Sequence, residues 1–155
     1  YFNVVVPLCF TFGSFSGFKV ALCFHYLSFY LINSSLNWFE ARDYCAQLKY
    51  SLASIYSTKE YNMLKSYPGG AWIGLSDIQD FWKEGLGRSS NSWRWSGNET
   101  LAPDGYQNWT LHQPDNYNAT EYCVLMKNGQ WTDGFCEISL PFICFSGKLS
   151  KTKQS

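Results

Sequence analysis

The chain has 155 residues, a formal net charge of zero at pH 7, 15% charged residues and 19% aromatic residues. This length suits one domain with its own core. The low charge and high aromatic content argue against a disordered chain, and the lack of a basic excess argues against general nucleic-acid binding.

The first part of the chain is apolar, since residues 2–32 contain Lys19 as their only charged residue. Three interpretations compete: the remnant of a signal sequence or membrane anchor, the first strands of the domain, or a stretch foreign to the natural protein. We predict that residues 1–22 lie outside the compact domain as a leader or anchor remnant. The domain itself is predicted over residues 23–146, and residues 147–155 form a polar tail or linker.

Local patterns then predict two helices. Aromatic and aliphatic residues predict a strand from Phe24 to Ile32. Asn37 followed by Glu40 is a variant of a capping box, and it opens a predicted helix at about 38–48. Ser57 and Glu60 form a regular capping box, which opens a second helix that reaches about Leu64.

Short strands and one long loop follow. Strands are predicted at Trp72–Leu75, Trp93–Trp95 and Tyr122–Met126, resuming at Trp131 and closing at Phe142–Cys144. Residues 96–120 are rich in Gly, Asn, Asp, Pro and Thr, which predicts a long loop, and such loops are usually functional or disordered. Two helices followed by short strands indicate the α+β class.

The cysteines and sequons indicate an extracellular protein. No CxxC pair is present and only two histidines occur, which argues against structural zinc. An oxidised framework fits better, although spacing alone does not choose the pairing. The cysteines are Cys9, Cys23, Cys45, Cys123, Cys136 and Cys144, and the glycosylation sequons begin at Asn33, Asn98, Asn108 and Asn118.

Oxygen-bearing side chains gather around the later cysteines. Gln113 and Asp115 lie in the long loop, Glu121 precedes Cys123, and Asp133 precedes Cys136. One amide and three carboxylates suit calcium, which takes mixed oxygen ligands. The bare loop would repel itself, so the metal is expected to order it and its binding to depend on pH. Taken alone, Gln-Pro-Asp is also an ordinary turn sequence.

An ordered series of segments carries a family resemblance. The series is Trp38-Phe39-Glu40-Ala41, Tyr44-Cys45, Trp72-Ile73-Gly74-Leu75, Gln113-Pro114-Asp115, Glu121, Cys123, Trp131-Thr132-Asp133, Cys136 and Cys144. In this order the segments resemble the C-type lectin-like domain family, over about residues 24–146. The resemblance implies the double-loop α+β fold, a structural Trp72, and disulfides Cys45–Cys144 and Cys123–Cys136.

The resemblance also implies one principal calcium site, with metal ligands Gln113, Asp115, Glu121, Thr132 and Asp133. Thr132 stands where the family usually has asparagine, and its shorter hydroxyl is a weaker ligand, which puts the strength of the site in doubt. The second calcium site of the family is expected to be incomplete, because Tyr122 stands where an acid is usual.

Gln-Pro-Asp resembles the motif of galactose-type members. The implied sugar-binding residues are Gln113, Asp115, Tyr117, Glu121 and Asp133, with Tyr117 either stacking on the sugar or acting as a plain loop aromatic. A glycan on Asn118 would crowd this loop. His112 is interpreted as a surface histidine, with a pH sensor as the alternative.

The predicted function is calcium-dependent binding of glycans or glycoproteins by an extracellular domain that is not an enzyme. The first rival is a calcium-independent protein-binding domain on the same fold. The second is a glycoside-cleaving enzyme that uses Glu121 or Asp133 with His112, which no nucleophile motif supports. The third is a membrane anchor in residues 1–22. Homo-oligomers and tandem domains are expected ways to strengthen single sugar contacts.

Overall fold

The computed structural model describes residues 2–11, 21–78, 92–97 and 106–147. Within these ranges the chain folds into two helices and an eight-stranded sheet, which confirms the predicted α+β class. No helix in the described ranges is long and apolar enough to cross a membrane. The elements are β1 (Phe2–Thr11), β2 (Ala21–Leu36), α1 (Trp38–Gln47), β3 (Ser51–Leu52), α2 (Thr58–Leu64), β4 (Ala71–Ser76), β5 (Arg94–Trp95), β6 (Cys123–Lys127), β7 (Gln130–Gly134) and β8 (Leu140–Gly147).

Both helices begin at the predicted caps. The Asn37 side chain accepts a hydrogen bond from the Glu40 amide at 2.9 Å, and Glu40 Oε2 accepts one from the Asn37 amide at 3.1 Å. Ser57 Oγ accepts from the Glu60 amide at 3.4 Å in the same way. Because these side chains satisfy N–H groups that lack a partner in the first turn, the helix starts follow from local sequence.

The sheet has the strand order β1-β2-β8-β4-β6-β7, with β3 beside β8 and β5 beside β4. Strand β8 is antiparallel to β2 and parallel to β4, where Trp72 pairs with Phe142. Strand β6 pairs with β7 in antiparallel register, which places Val124 opposite Asp133 and Cys123 opposite Gly134. This pairing fixes the position of the strand segment that carries Asp133.

The N-terminal segment extends the edge of this sheet. The backbone of β1 pairs with β2 from Phe2 opposite Leu31 to Thr11 opposite Ala21, and this register sets Cys9 opposite Cys23. The predicted boundary between residues 1–22 and 23–146 stays a prediction. At the other end, β8 continues to Gly147, one residue into the predicted tail.

Tryptophans dominate the core. Trp38, Trp72 and Trp131 are fully buried, and Trp95 is 1% exposed. The Trp72 indole N–H donates to the Leu36 and Ile138 carbonyls, so this residue is structural, as the resemblance implies. All six residues of β4 are buried. Each large aromatic of this kind contributes up to about 3 kcal/mol through burial.

Among the residues whose side chains the structure describes, two disulfides tie the elements together. Cys45 of α1 is bonded to Cys144 of β8, and Cys123 of β6 is bonded to Cys136 just after β7. These are the pairings that the resemblance implies. The first closes a sequence separation of 99 residues, whereas the second closes only 13 and lies next to the long loop.

Candidate functional site

The candidate site lies where the long loop meets β6 and β7. Carboxylate oxygens of Asp115, Glu121 and Asp133 all lie within 4.8 Å of one another. These acids are 18 residues apart at most in the sequence. The β6–β7 hairpin sets Asp133 opposite Val124, three residues after Glu121, and the Asp115 amide donates a hydrogen bond to Asp133.

Asp133 is the buried acid of the group, with 2% exposure. Its Oδ1 accepts a hydrogen bond from the Asp115 amide at 3.3 Å, and its Oδ2 accepts one from the Asn116 amide at 2.7 Å. Carboxylates make stronger hydrogen bonds to N–H groups than neutral acceptors do. Asp133 therefore anchors the loop to β7 in addition to being a candidate ligand.

Gln113 presents a buried oxygen that lacks a donor. The backbone N–H of Gln113 donates to the Thr110 carbonyl at 3.0 Å, and the peptide bond between Gln113 and Pro114 is cis. The side-chain Oε1 is buried and accepts no hydrogen bond within the described part of the chain. Such an oxygen costs about 1–3 kcal/mol unless something satisfies it. Three clustered carboxylates and an amide oxygen from the same loop are a donor set that suits calcium, so the residues fit that ion.

Thr132 is half-buried, and its hydroxyl lies 3.3 Å from the Thr110 hydroxyl. This side chain thus has a partner within the protein. Its place among the metal ligands stays a prediction.

Asn116 is a site residue that the sequence interpretation missed. Its side-chain Oδ1 accepts a hydrogen bond from the Glu121 amide at 3.0 Å, and its own amide donates to Asp133. Its φ of 43° lies in the left-handed region, where asparagine is enriched. The available signal was an asparagine directly after Gln-Pro-Asp, in a loop that has to turn sharply.

The pKa of Glu121 is raised above its ordinary value of 4.5. Burial is the largest cause, and the neighbouring Asp133 and Asp115 carboxylates add repulsion, while the Tyr117 amide acts in the opposite direction. The Tyr117 N–H donates to Glu121 Oε2 at 3.3 Å. Crowded like charges of this kind are relieved by protonation or by a cation.

This raised pKa predicts opposite pH trends with and without calcium. In metal-free protein the folded state holds the Glu121 proton more tightly than the unfolded chain does, so this group adds stability as pH falls through its raised pKa toward 4.5. Calcium needs the ionised carboxylate, so the calcium-induced rise in Tm is expected to shrink over the same window. Thermal melts from neutral pH to below 4.5 would check this. The Glu121→Gln variant is the control, because its side chain at this position cannot titrate. If Tm in EDTA depended on pH in the same way for both proteins, the raised pKa would not belong to Glu121.

The remaining loop residues face solvent. Tyr117 is 61% exposed and begins the short turn Tyr117–Ala119. His112 is exposed as well. The Tyr122 hydroxyl donates to the Ala119 carbonyl, so this side chain has a structural partner. Among the described residues, a single group of three or more clustered acids occurs.

The predicted glycosylation sites differ in their surroundings. Asn33 and Asn118 are exposed, and Asn98 lies outside the described residues. Asn108 is half-buried, and its side-chain nitrogen donates to the Gly129 carbonyl at 2.8 Å. A glycan on Asn108 would therefore compete with a contact that anchors the loop to the β6–β7 turn. Modification at all four positions stays a prediction.

Residues 34–146 match the family model described as the lectin C-type domain. The chain belongs to this family. The predicted resemblance is thereby confirmed at the level of the family, and the galactose-type subdivision stays a prediction.

Relatives and solved structures agree with this assignment. The chain is 36% identical to the mouse low affinity immunoglobulin epsilon Fc receptor over 118 residues, which is 74% of this chain and 32% of the relative. It is 30% identical to human asialoglycoprotein receptor 2 over 124 residues, covering 75% of this chain and 36% of the relative. The chain thus spans about a third of the length of these relatives.

A solved carbohydrate-recognition domain shares the fold. The cow CD23 domain, determined in the presence of a GlcNAc2Man3 oligosaccharide, is 31% identical with a TM-score of 0.63. The match covers 77% of this chain and 87% of that domain. The two relatives are named as receptors and the solved domain as a carbohydrate-recognition domain, and none of these names is that of an enzyme.

Proposed function

We propose that this domain binds carbohydrate through a calcium ion held by Gln113, Asp115, Glu121 and Asp133. The observation that carries the proposal is the clustering of the Asp115, Glu121 and Asp133 carboxylates within 4.8 Å of one another. The Gln113 Oε1, two residues before Asp115, supports it, because this oxygen is buried and has no hydrogen-bond partner among the described residues. Acids often cluster on surfaces without a metal, but a buried amide oxygen without a donor adds a cost that a cation would remove. Thr132 is a weaker fifth ligand in this proposal.

A bound calcium ion would supply coordination positions for two vicinal sugar hydroxyls. The protein residues supply the rest of the recognition. Gln113 offers an amide that donates as well as accepts, whereas Asp115 and Glu121 offer carboxylates that only accept when ionised. The order of amide and acid therefore selects how the sugar hydroxyls are arranged.

A galactose-type ligand is proposed on three grounds. Gln113-Pro114-Asp115 is similar to the motif of galactose-type members, and human asialoglycoprotein receptor 2 is among the relatives. The 61% exposed Tyr117 lies two residues beyond Asp115, where its ring can stack on an apolar sugar face. The other sugar-binding residues are those that hold the ion.

The proposed setting is extracellular, and the proposed activity is binding without catalysis. The two disulfides suit an oxidising compartment. The relatives are named as receptors, and the family is one of lectin domains. Glycans and glycoproteins are the proposed partners, and homo-oligomers or tandem domains would raise avidity.

Thermal unfolding tests this function directly. Calcium is expected to raise Tm above its value in EDTA, and galactose is expected to raise it again only when calcium is present. A ligand at a hundred times its Kd stabilises the folded state by about 2.7 kcal/mol. Mannose at the same concentration is the matched control for the sugar, and Glu121→Gln is the control for the metal. A Tm that is identical in calcium and EDTA would rule out the calcium site.

Calcium-independent protein binding is the second candidate, favoured by the contact between the Thr132 and Thr110 hydroxyls. That contact occupies a side chain that the metal would otherwise use. Thr132→Asn separates the two candidates. A variant that gains a calcium-dependent Tm shift absent from the wild type would show that Thr132 disables an otherwise complete site.

A further inference from the structure

Asn116 connects the two parts of the chain that carry the acids. Its amide donates to Asp133 Oδ2 on β7 at 2.7 Å, and its Oδ1 accepts from the amide of Glu121 at 3.0 Å. Its carbonyl accepts from the Ala119 amide at 2.8 Å. One residue therefore contacts the buried acid and also the backbone that presents a second acid.

The backbone of Asn116 restricts which residue can do this. Its φ of 43° and ψ of 55° lie in the left-handed region. Most residues with a Cβ are disfavoured there, whereas glycine adopts it freely and asparagine and aspartate tolerate it. Glycine has no side-chain acceptor for the Glu121 amide. Only asparagine or aspartate combines this backbone with an acceptor at the end of a short side chain.

The hydrogen bonds of Asn116 act against electrostatic repulsion between the three acids. Three carboxylates within 4.8 Å of one another repel when ionised, which favours a loop that opens. The Asn116 hydrogen bonds tie Glu121 and Asp133 to the same residue and so resist that opening. Both are hydrogen bonds between protein groups, so their formation does not need a metal as a partner.

We propose that Asn116 is a positioning residue that orders the ligand loop in the metal-free protein. Its importance for calcium affinity rests on the function proposed above. When the ligand loop is ordered before calcium binds, the binding free energy is not reduced by the cost of ordering the loop. Groups that orient metal ligands typically change metal affinity by about 10- to 100-fold when they are lost.

The test uses the whole chain with Asn116→Gly and Asn116→Asp. Asn116→Gly keeps the left-handed backbone conformation accessible but removes the side-chain acceptor. Asn116→Asp keeps both the backbone conformation and an acceptor. Asn128→Gly is the matched control, because Asn128 also has a positive φ of 51° but is exposed in the β6–β7 turn. Amide hydrogen exchange in EDTA and calcium titration calorimetry are the two measurements.

In EDTA, the wild-type amides of Asn116 and Glu121 are expected to be protected from exchange. Asn116→Gly is expected to lose protection at Glu121 and to bind calcium at least about tenfold more weakly. Asn116→Asp, which keeps the acceptor but adds a fourth carboxylate to the cluster, should retain more protection at Glu121 than Asn116→Gly does, and Asn128→Gly should match the wild type in both measurements. This contrast separates a positioning role from a general loss of stability.

Two results would overturn the proposal: wild-type amides that exchange as fast as an open loop in EDTA, or Asn116→Gly with wild-type calcium affinity. A wild type that binds no calcium would instead overturn the proposed function. Loss of Glu121 protection in Asn116→Gly would then still support Asn116 as the residue that orders the loop.

Discussion

Replacing Asp133 with alanine is expected to destabilise the metal-free protein by about 2–4 kcal/mol and to abolish calcium binding. Asp133 is 2% exposed, and its carboxylate accepts the amides of Asp115 and Asn116. Hydrogen bonds to a charged acceptor contribute about 1.5–3 kcal/mol, so losing this carboxylate frees the loop from β7. Urea unfolding in EDTA measures the first effect, and calorimetric calcium titration measures the second.

Asp115→Ala is the matched control, because it removes the same charge from the same cluster. Asp115 is exposed, so its loss is expected to change metal-free stability by no more than about 0.5 kcal/mol. Its removal also relieves repulsion with Glu121. Calcium binding should nevertheless be lost. If the two variants had equal stability in EDTA, Asp133 would not be the anchor of the loop.

The second large effect is expected from the disulfide between Cys45 and Cys144. Replacing both with alanine should cost about 4–5 kcal/mol, because the bond closes a separation of 99 residues and so restricts the unfolded chain strongly. The free energy of unfolding of a whole protein is only about 5–15 kcal/mol. Urea unfolding of the double variant is therefore expected to show a domain close to its stability limit.

The other disulfide is the matched comparison, since Cys123–Cys136 closes a separation of only 13 residues. Its removal is expected to cost about 3 kcal/mol. It should harm calcium binding more than the first replacement does, because Cys123 lies two residues after Glu121 and Cys136 three residues after Asp133. The prediction fails if the Cys45–Cys144 variant is the more stable of the two in urea, or if it has the lower calcium affinity while still folded.

Much of the fold was accessible from short-range patterns. The start of α1 follows from Asn37 and Glu40, and the start of α2 from Ser57 and Glu60, because a cap is decided by residues three apart. The buried strand Ala71–Ser76 was visible as a continuous apolar run. The observed helix Trp38–Gln47 ends one residue before the predicted end.

The identity of the candidate ligands follows from side-chain chemistry and from the family resemblance that the match over residues 34–146 confirms. Gln113, Asp115, Glu121 and Asp133 all carry side-chain oxygen atoms. Their chemistry is a property of the side chains. Their convergence within 4.8 Å, shown for the three acids, is a property of the folded chain.

By itself, the sequence determined the helix starts, the α+β class and the identity of the candidate ligands, because these depend on residue type and on neighbours a few positions away. Only the tertiary structure decided the pairing of β1 with β2, the contact between Thr132 and Thr110, and the burial of the Gln113 oxygen without a partner among the described residues. The hydrogen bond from Asn116 to Asp133 belongs with these, since the two residues are 17 positions apart. Hydrogen bonds across such separations depend on strand register and loop closure, which no local pattern specifies.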